Sequence, residues 1–174
     1  MRSELLLCVF CGGCVLNAVS ASAQNTETST VRIGTYDNRS IAVAYAASPY
    51  NPIAEKMVEL DSARKSGDEE TISRLNAWGK KQQRMLHFQG FAQVPVGNLL
   101  APVKDQLAKF AKEHKLAAIV MKCDYVGPEI ETVDVTEDLV EFFQPDERVR
   151  QMARKIRDAE PVELTEVADL PAGK

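Results

Sequence analysis

The chain has 174 residues, 45% of them hydrophobic and 26% charged, with 21 lysines and arginines against 25 aspartates and glutamates, a formal net charge of −4. This balance excludes a disordered acidic polymer, a collagen-like repeat, a disulfide-dense mini-scaffold and a protein that binds nucleic acid through bulk positive charge. The length suits one domain with an appendage.

The first predicted element is an export signal. Arg2 precedes an apolar run from Leu5 through Val19, broken by Gly12, Gly13 and Asn17, and Ala21-Ser22-Ala23 follows as a small-residue cleavage site. The run falls short of the roughly 20 apolar residues that a membrane span needs, so residues 1–23 read as a secretory signal peptide. Cys8, Cys11 and Cys14 leave with it, and their spacing is not read as metal ligation. Retention of Cys14 as the acylated residue of a lipoprotein is the alternative. The mature chain keeps Cys123 alone. One thiol cannot close an internal disulfide, so the exported protein, periplasmic or secreted, must be held by packing or by association with copies of itself.

Residues 24–30 are polar and small, a leader expected to be disordered. Val31 to Tyr36 alternates apolar and polar positions as a strand does, and Asp37-Asn38 offers a cap. Ser40 to Ala47 reads as a short buried helix that Pro49 and Pro52 end. Ile53, Met57, Leu60 and Ala63 then fall at helical spacing, Ser66-Gly67-Asp68 interrupts, and Ile72 and Leu75 resume the period toward Met85, Leu86 and Phe88. The pattern predicts a helical hairpin arm over about residues 50–95. Its apolar stripes are thin, with Gly79 and Gln82 where apolar residues are expected, so it stands partly open to water.

Beyond the break at Gly90 to Gly97, one amphipathic helix is expected, with Leu99, Leu100, Val103, Leu107, Phe110 and Ala111 on one face and Pro102 in its first turn. Leu116 to Met121 is a continuous apolar run of strand length. Val126-Gly127-Pro128 turns the chain, Ile130 to Val135 forms a further strand, and Thr136 is expected to cap a helix over Glu137 to Phe143. Asp146 to Arg157 reads as a helix with Val149, Met152, Ala153 and Ile156 as its seam, and residues 159–174 as an extended acidic tail. The fold class expected is α+β: a small β-rich body, residues 31–158 with the arm, carrying additional C-terminal helices.

Two segments resemble the Skp/OmpH-like family of periplasmic chaperones. Arg32-Ile33-Gly34-Thr35-Tyr36-Asp37 followed by Ile41 is similar to that family's opening strand and turn. Lys109 through Leu139 is similar to its closing part, where a helix enters Ala117-Ala118-Ile119-Val120 and Val133-Asp134-Val135-Thr136 leads into a capped helix. The resemblance implies a β-rich body that forms a homotrimer, with coiled helical arms that hold unfolded outer-membrane proteins, and it implies neither a catalytic site nor a cofactor. The chain departs from the family pattern in a shorter arm, interrupted by Gly90, Pro95, Gly97 and Pro102, in its mildly acidic balance, and in the segment from Asp146 onward.

Charge patterning adds a candidate binding surface. No carboxylate lies between Glu70 and Asp105, while Arg74, Lys81 and Arg84 share one side of the second arm helix with Trp78 between them. Such a face can hold an acidic unfolded chain or touch an anionic membrane surface. The plainer alternative is a solvated helix face whose Trp78 is buried against a neighbour. Carboxylates gather instead from Asp124 to Glu141, without the spacing of a calcium loop. His87 and His114 lack a metal-binding spacing or a neighbouring nucleophile, Cys123 beside Asp124 reads as a structural thiol, and no phosphate-binding, dinucleotide or hydrolase motif occurs. Asn38-Arg39-Ser40 matches a glycosylation sequon. No metal, cofactor or nucleic acid is expected. A non-enzymatic envelope protein is the reading; the alternatives are a monomeric secreted interaction domain and, behind it, an envelope hydrolase using carboxylates near Asp124 and Glu129.

Overall fold

A computed structural model describes residues 30–169. The predicted signal peptide, residues 24–29 of the leader and residues 170–174 of the tail lie outside the described residues. The chain folds as α+β, with three strands and eight α-helices among the described residues. Strands β1 (Val31–Thr35), β2 (Leu116–Val120) and β3 (Ile130–Asp134) form one sheet in the order β2-β1-β3, both outer strands running parallel to β1. Between β1 and β2 lie α1 (Asn38–Ala46), α2 (Ile53–Ser66), α3 (Glu69–Phe91), α4 (Gly97–Leu100) and α5 (Lys104–Glu113). After β3 come α6 (Thr136–Glu141), α7 (Glu147–Arg157) and α8 (Leu164–Asp169).

Side chains alternate across each strand, and the register sorts them into two sets. Gly34 pairs with Ile119 on one side and Val133 on the other. These positions, with Leu116, Met121 and Val135, face the helices and join the core. Val31, Ile33, Ala118, Val120 and Ile130 fall on the opposite face, and none of them belongs to that core. At Gly34 a Cβ would stand 3.1 Å from both Leu116 Cδ1 and Val135 Cγ2, so the absence of a side chain is what lets β1 approach its neighbours here. The β1–β2 register slips between Arg32 and Ile33, leaving Ala117 as an extra residue of the ladder. Because β2 and β3 are parallel and flank β1, the segment from Met121 to Glu129 must return across the sheet with no helix in it, and Tyr125 on that crossing is 84% exposed.

The core lies between the sheet and the helices, with Ile41, Leu139 and Phe143 fully buried. Phe143 receives the rings of Tyr45 and Tyr50 edge-on at 6.1 and 6.2 Å, the arrangement that aromatic quadrupoles favour. The single amphipathic helix expected around Pro102 is instead three pieces: α4, a 3-10 turn over Ala101–Val103, and α5. Pro102 has no N–H to continue an α-helix from the preceding turn, so the chain tightens there. The apolar face survives the break, and Leu99, Leu100, Val103 and Phe110 are all buried.

Helices α2 and α3 form the expected hairpin. Gly67, in left-handed conformation at φ 72°, ends α2 and donates its N–H to Ala63 and Arg64 carbonyls, and Asp68 caps α3 by accepting from Thr71 N. The 23 residues of α3 extend about 34 Å. Helix α2 packs on α3, and α3 in turn packs on α1 and α8, so the hairpin projects from a root made by the end of α3. The tail is not extended as expected. Val162 N–H donates to the Phe91 carbonyl at 2.9 Å, and α8 lies on α3 with Val167 buried, because Val162 and Val167 have the apolar root of the arm to cover.

Candidate functional site: the arm and its root

All four residues singled out for client contact lie on α3, with Trp78 half-buried and Arg74, Lys81 and Arg84 exposed. Arg74 has a different occupation from the other two cations. Its guanidinium donates to Glu59 Oε1 across the hairpin at 2.7 Å, while Lys56 Nζ donates to Glu59 Oε2 at 2.7 Å. Those hydrogen bonds, Lys56 first and Arg74 second, hold the Glu59 carboxyl below its ordinary pKa. Arg74 therefore bridges the two arm helices while its side chain stays 58% exposed. Lys80, Lys81 and Arg84 make no salt bridge among the described residues.

Along the hairpin only Leu60, Ala63, Leu75 and, at its base, Gln89 are buried. Met57 is 49% and Val58 68% exposed on α2, and Met85 is 45% exposed on α3. These aliphatic side chains are left in water on both helices of the arm, alongside exposed Lys80, Lys81 and Arg84 on α3. His87 is half-buried with its ring edge-on to Phe91 at 5.7 Å. His114 follows α5 with its ring stacked on Phe110 at 4.1 Å.

The root is built by four consecutive polar residues at the entry of α1, each tied to a different part of the chain. Asp37 caps α1, accepting from Arg39 N at 2.8 Å and Ser40 N at 3.3 Å. Asn38 Nδ2 donates to the carbonyls of Gln89 and Ala92, both at 2.8 Å, which pins the end of α3. Arg39, 3% exposed, pairs with Asp37 at 2.7 Å and donates to the carbonyls of Ala159 and Arg157 at 2.7 and 3.2 Å, closing the end of α7. Ser40 Oγ donates to the Ala153 carbonyl at 2.7 Å. Sequence reasoning found the Asp37 cap but missed Arg39 and Ser40. The available signal was a run of four polar residues entering an alanine-rich helix with no amphipathic face to give them. Asn38, at 2% exposure, is closed to any glycosylating enzyme in the folded protein, so the sequon has no use in this state.

Thr136 is not the cap expected for α6. Its hydroxyl accepts from Asp37 N at 3.0 Å and donates to Asp134 Oδ1 at 2.5 Å, joining the end of β3 to the start of α1. Four of the carboxylates from Asp124 to Glu141, namely Glu131, Asp134, Glu137 and Glu141, pair with arginines, and Asp134 and Glu137 share Arg157. Glu131 accepts from Arg32, Glu137 from Arg154, and Glu141 takes both Nε and Nη2 of Arg150 at 2.7 and 3.0 Å, which lowers the Glu141 pKa. Asp124 and Glu129 lie exposed on the crossing segment. Among the described residues no group of three or more His, Cys, Asp or Glu side chains is placed to hold a metal ion, and no helix is long and apolar enough to cross a membrane. The Cys123 thiol is free and half-buried. No family model, no curated protein and no solved structure matches the chain.

Proposed function

We propose that this chain is a non-enzymatic envelope protein that holds unfolded client segments on its hairpin arm, in the manner of the Skp/OmpH-like chaperones it resembles, and that it works as a homotrimer. The observation that carries the reading is the arm's surface. Met57 and Val58 of α2 and Met85 of α3 stay exposed, and Lys81 and Arg84 of α3 are exposed and make no salt bridge among the described residues. An unfolded outer-membrane protein presents apolar side chains interspersed with carboxylates, and both find a counterpart here. The same positive edge suits contact with an anionic membrane surface. Self-association has its own support in the sheet. Parallel sheets ordinarily bury both faces, and Val31, Ile33, Ala118, Val120 and Ile130 form a face outside the core.

The test dilutes a urea-unfolded outer-membrane β-barrel protein into buffer containing the chain and follows light scattering. Suppression of aggregation near stoichiometric ratio is expected, together with a trimeric mass for the chain on a sizing column. The combined variant Lys81→Glu, Arg84→Glu, at exposed positions, should lose suppression with an unchanged melting temperature, and Arg74 is kept so that its ion pair with Glu59 stays intact. Full suppression by that variant, or none by the native chain, would sink the reading.

A further inference from the structure

A groove of about 460 Å³ runs between α1, α3 and α7, away from the exposed arm surface. Ala42 and Val43 of α1 make its floor, Leu86 and Phe91 of α3 one wall, and Met152 and Ile156 of α7 the other. The volume falls in the range of small-molecule sites, and methionine in the wall gives an adaptable lining. No carboxylate lines it; the two titratable groups that do are His87 and Lys155.

At one end of the groove the chain crosses from α7 to α3. Asn38 meets the last turn of α3 and Arg39 the last turn of α7, so α1 runs opposite to both. At that end the chain leaving α7 passes Ala159, held by Arg39, and reaches α3 where Val162 N–H donates to the Phe91 carbonyl. Ala159 and Phe91 both line the groove. Two further cations stand toward the other end, near Ala46. Lys80 and Arg148 stand two turns before His87 and Lys155 on the same sides of α3 and α7. None of these four side chains makes a salt bridge among the described residues.

We propose that this groove binds a single-chain anionic amphiphile of the fatty-acid class, its alkyl chain on Ala42 and Val43 and its carboxylate at the rim beside Lys155. The choice over a polypeptide follows from the lining. An extended peptide brings N–H and C=O groups that need partners, and walls of apolar side chains on internally bonded helices supply none. A helix about 10 Å across would fit for barely one turn. An alkyl chain carries no such requirement, and its single charge meets the unpaired cations. The inference does not rest on client holding by the arm.

The experiment titrates the full chain with sodium decanoate, below its micelle-forming concentration, and with uncharged 1-decanol. Saturable binding of one decanoate per chain is expected. Lys155→Glu should weaken decanoate at least threefold while leaving decanol unchanged, and Val43→Trp, which fills the groove, should abolish both. Met152→Glu, at an exposed position that tolerates a charge, should weaken decanoate at least tenfold with an unchanged melting temperature and so decides the matter if Val43→Trp fails to fold. Lys81→Glu, on another side of α3, should bind decanoate as the native chain does whatever it does to client holding. Non-saturating uptake, decanoate binding untouched by Met152→Glu, or displacement of decanoate by a lower concentration of an unstructured apolar peptide would each overturn the assignment.

Discussion

The two ends of α3 are held by different physics. At its root Asn38 spends two buried hydrogen bonds on the last turn, α1 packs alongside, and α8 closes over the outside. At its free end the partners are Glu59, Lys56 and Arg74 in water, with Leu60, Ala63 and Leu75 as the buried seam. Buried hydrogen bonds are expensive to lose because the orphaned group stays buried, whereas exposed ion pairs yield little and exchange readily with solvent. A single helix therefore joins a fixed base to a segment able to open on its own.

That contrast can be broken most severely at Arg39. Arg39→Met strips the guanidinium from Asp37 and leaves the Ala159 and Arg157 carbonyls unpaired, and a loss of about 3–5 kcal/mol in urea unfolding is expected. Leu75→Ala removes the largest part of the α3 side of the arm seam and should cost about 2–3 kcal/mol locally. Hydrogen exchange should speed up across residues 56–80 while α1 and the end of α3 keep their protection; uniform acceleration would show that arm and root unfold together. Gly34→Ala places a Cβ against Leu116 and Val135, and a destabilisation of about 1–3 kcal/mol, read as a shift in melting temperature, would report on the sheet alone.

The smallest effect is acid loosening. Glu59 is lowered by Lys56 and Arg74, and Asp68 by the Thr71 backbone N–H, so both favour the folded hairpin when ionised. A depressed carboxylate contributes fully above its unfolded pKa, and that contribution fades as the pH falls through the lower folded value. Protection of the hairpin should therefore be flat from pH 7 to 5 and decline below about pH 4. Glu59→Gln should remove part of that decline, seen by hydrogen exchange at the tip.

Elements whose signal is local were legible in the sequence. The period of Ile53, Met57 and Leu60, the Gly67 stop, the apolar run at Leu116 and the Asp37 cap each state their structure within a few residues. What escaped depends on partners far along the chain. Arg39 binds carbonyls near Ala159, Thr136 serves Asp37, and Arg74 is taken by Glu59 of the facing helix; no window of neighbouring residues contains both halves of such a pair. The same holds for the tail, where Val162 and Val167 look like isolated apolar residues until α3 lies beneath them. The groove belongs to this class too, since Val43, Phe91 and Met152 are ordinary core candidates in their own helices and only the packing leaves them facing a space.

Strand β1 sits between β2 and β3, and its two neighbours bond to it and not to each other. It is synthesised before five helices and both of its partners, so its backbone groups must wait, unpaired, until the Leu116 segment has been made. A topology of this kind couples folding to late, distant contacts and makes it slow relative to a local hairpin meander. It also gives the short stretch from Val31 to Thr35 a leverage out of proportion to its size: a protease trimming those five residues would leave two edge strands with nothing between them.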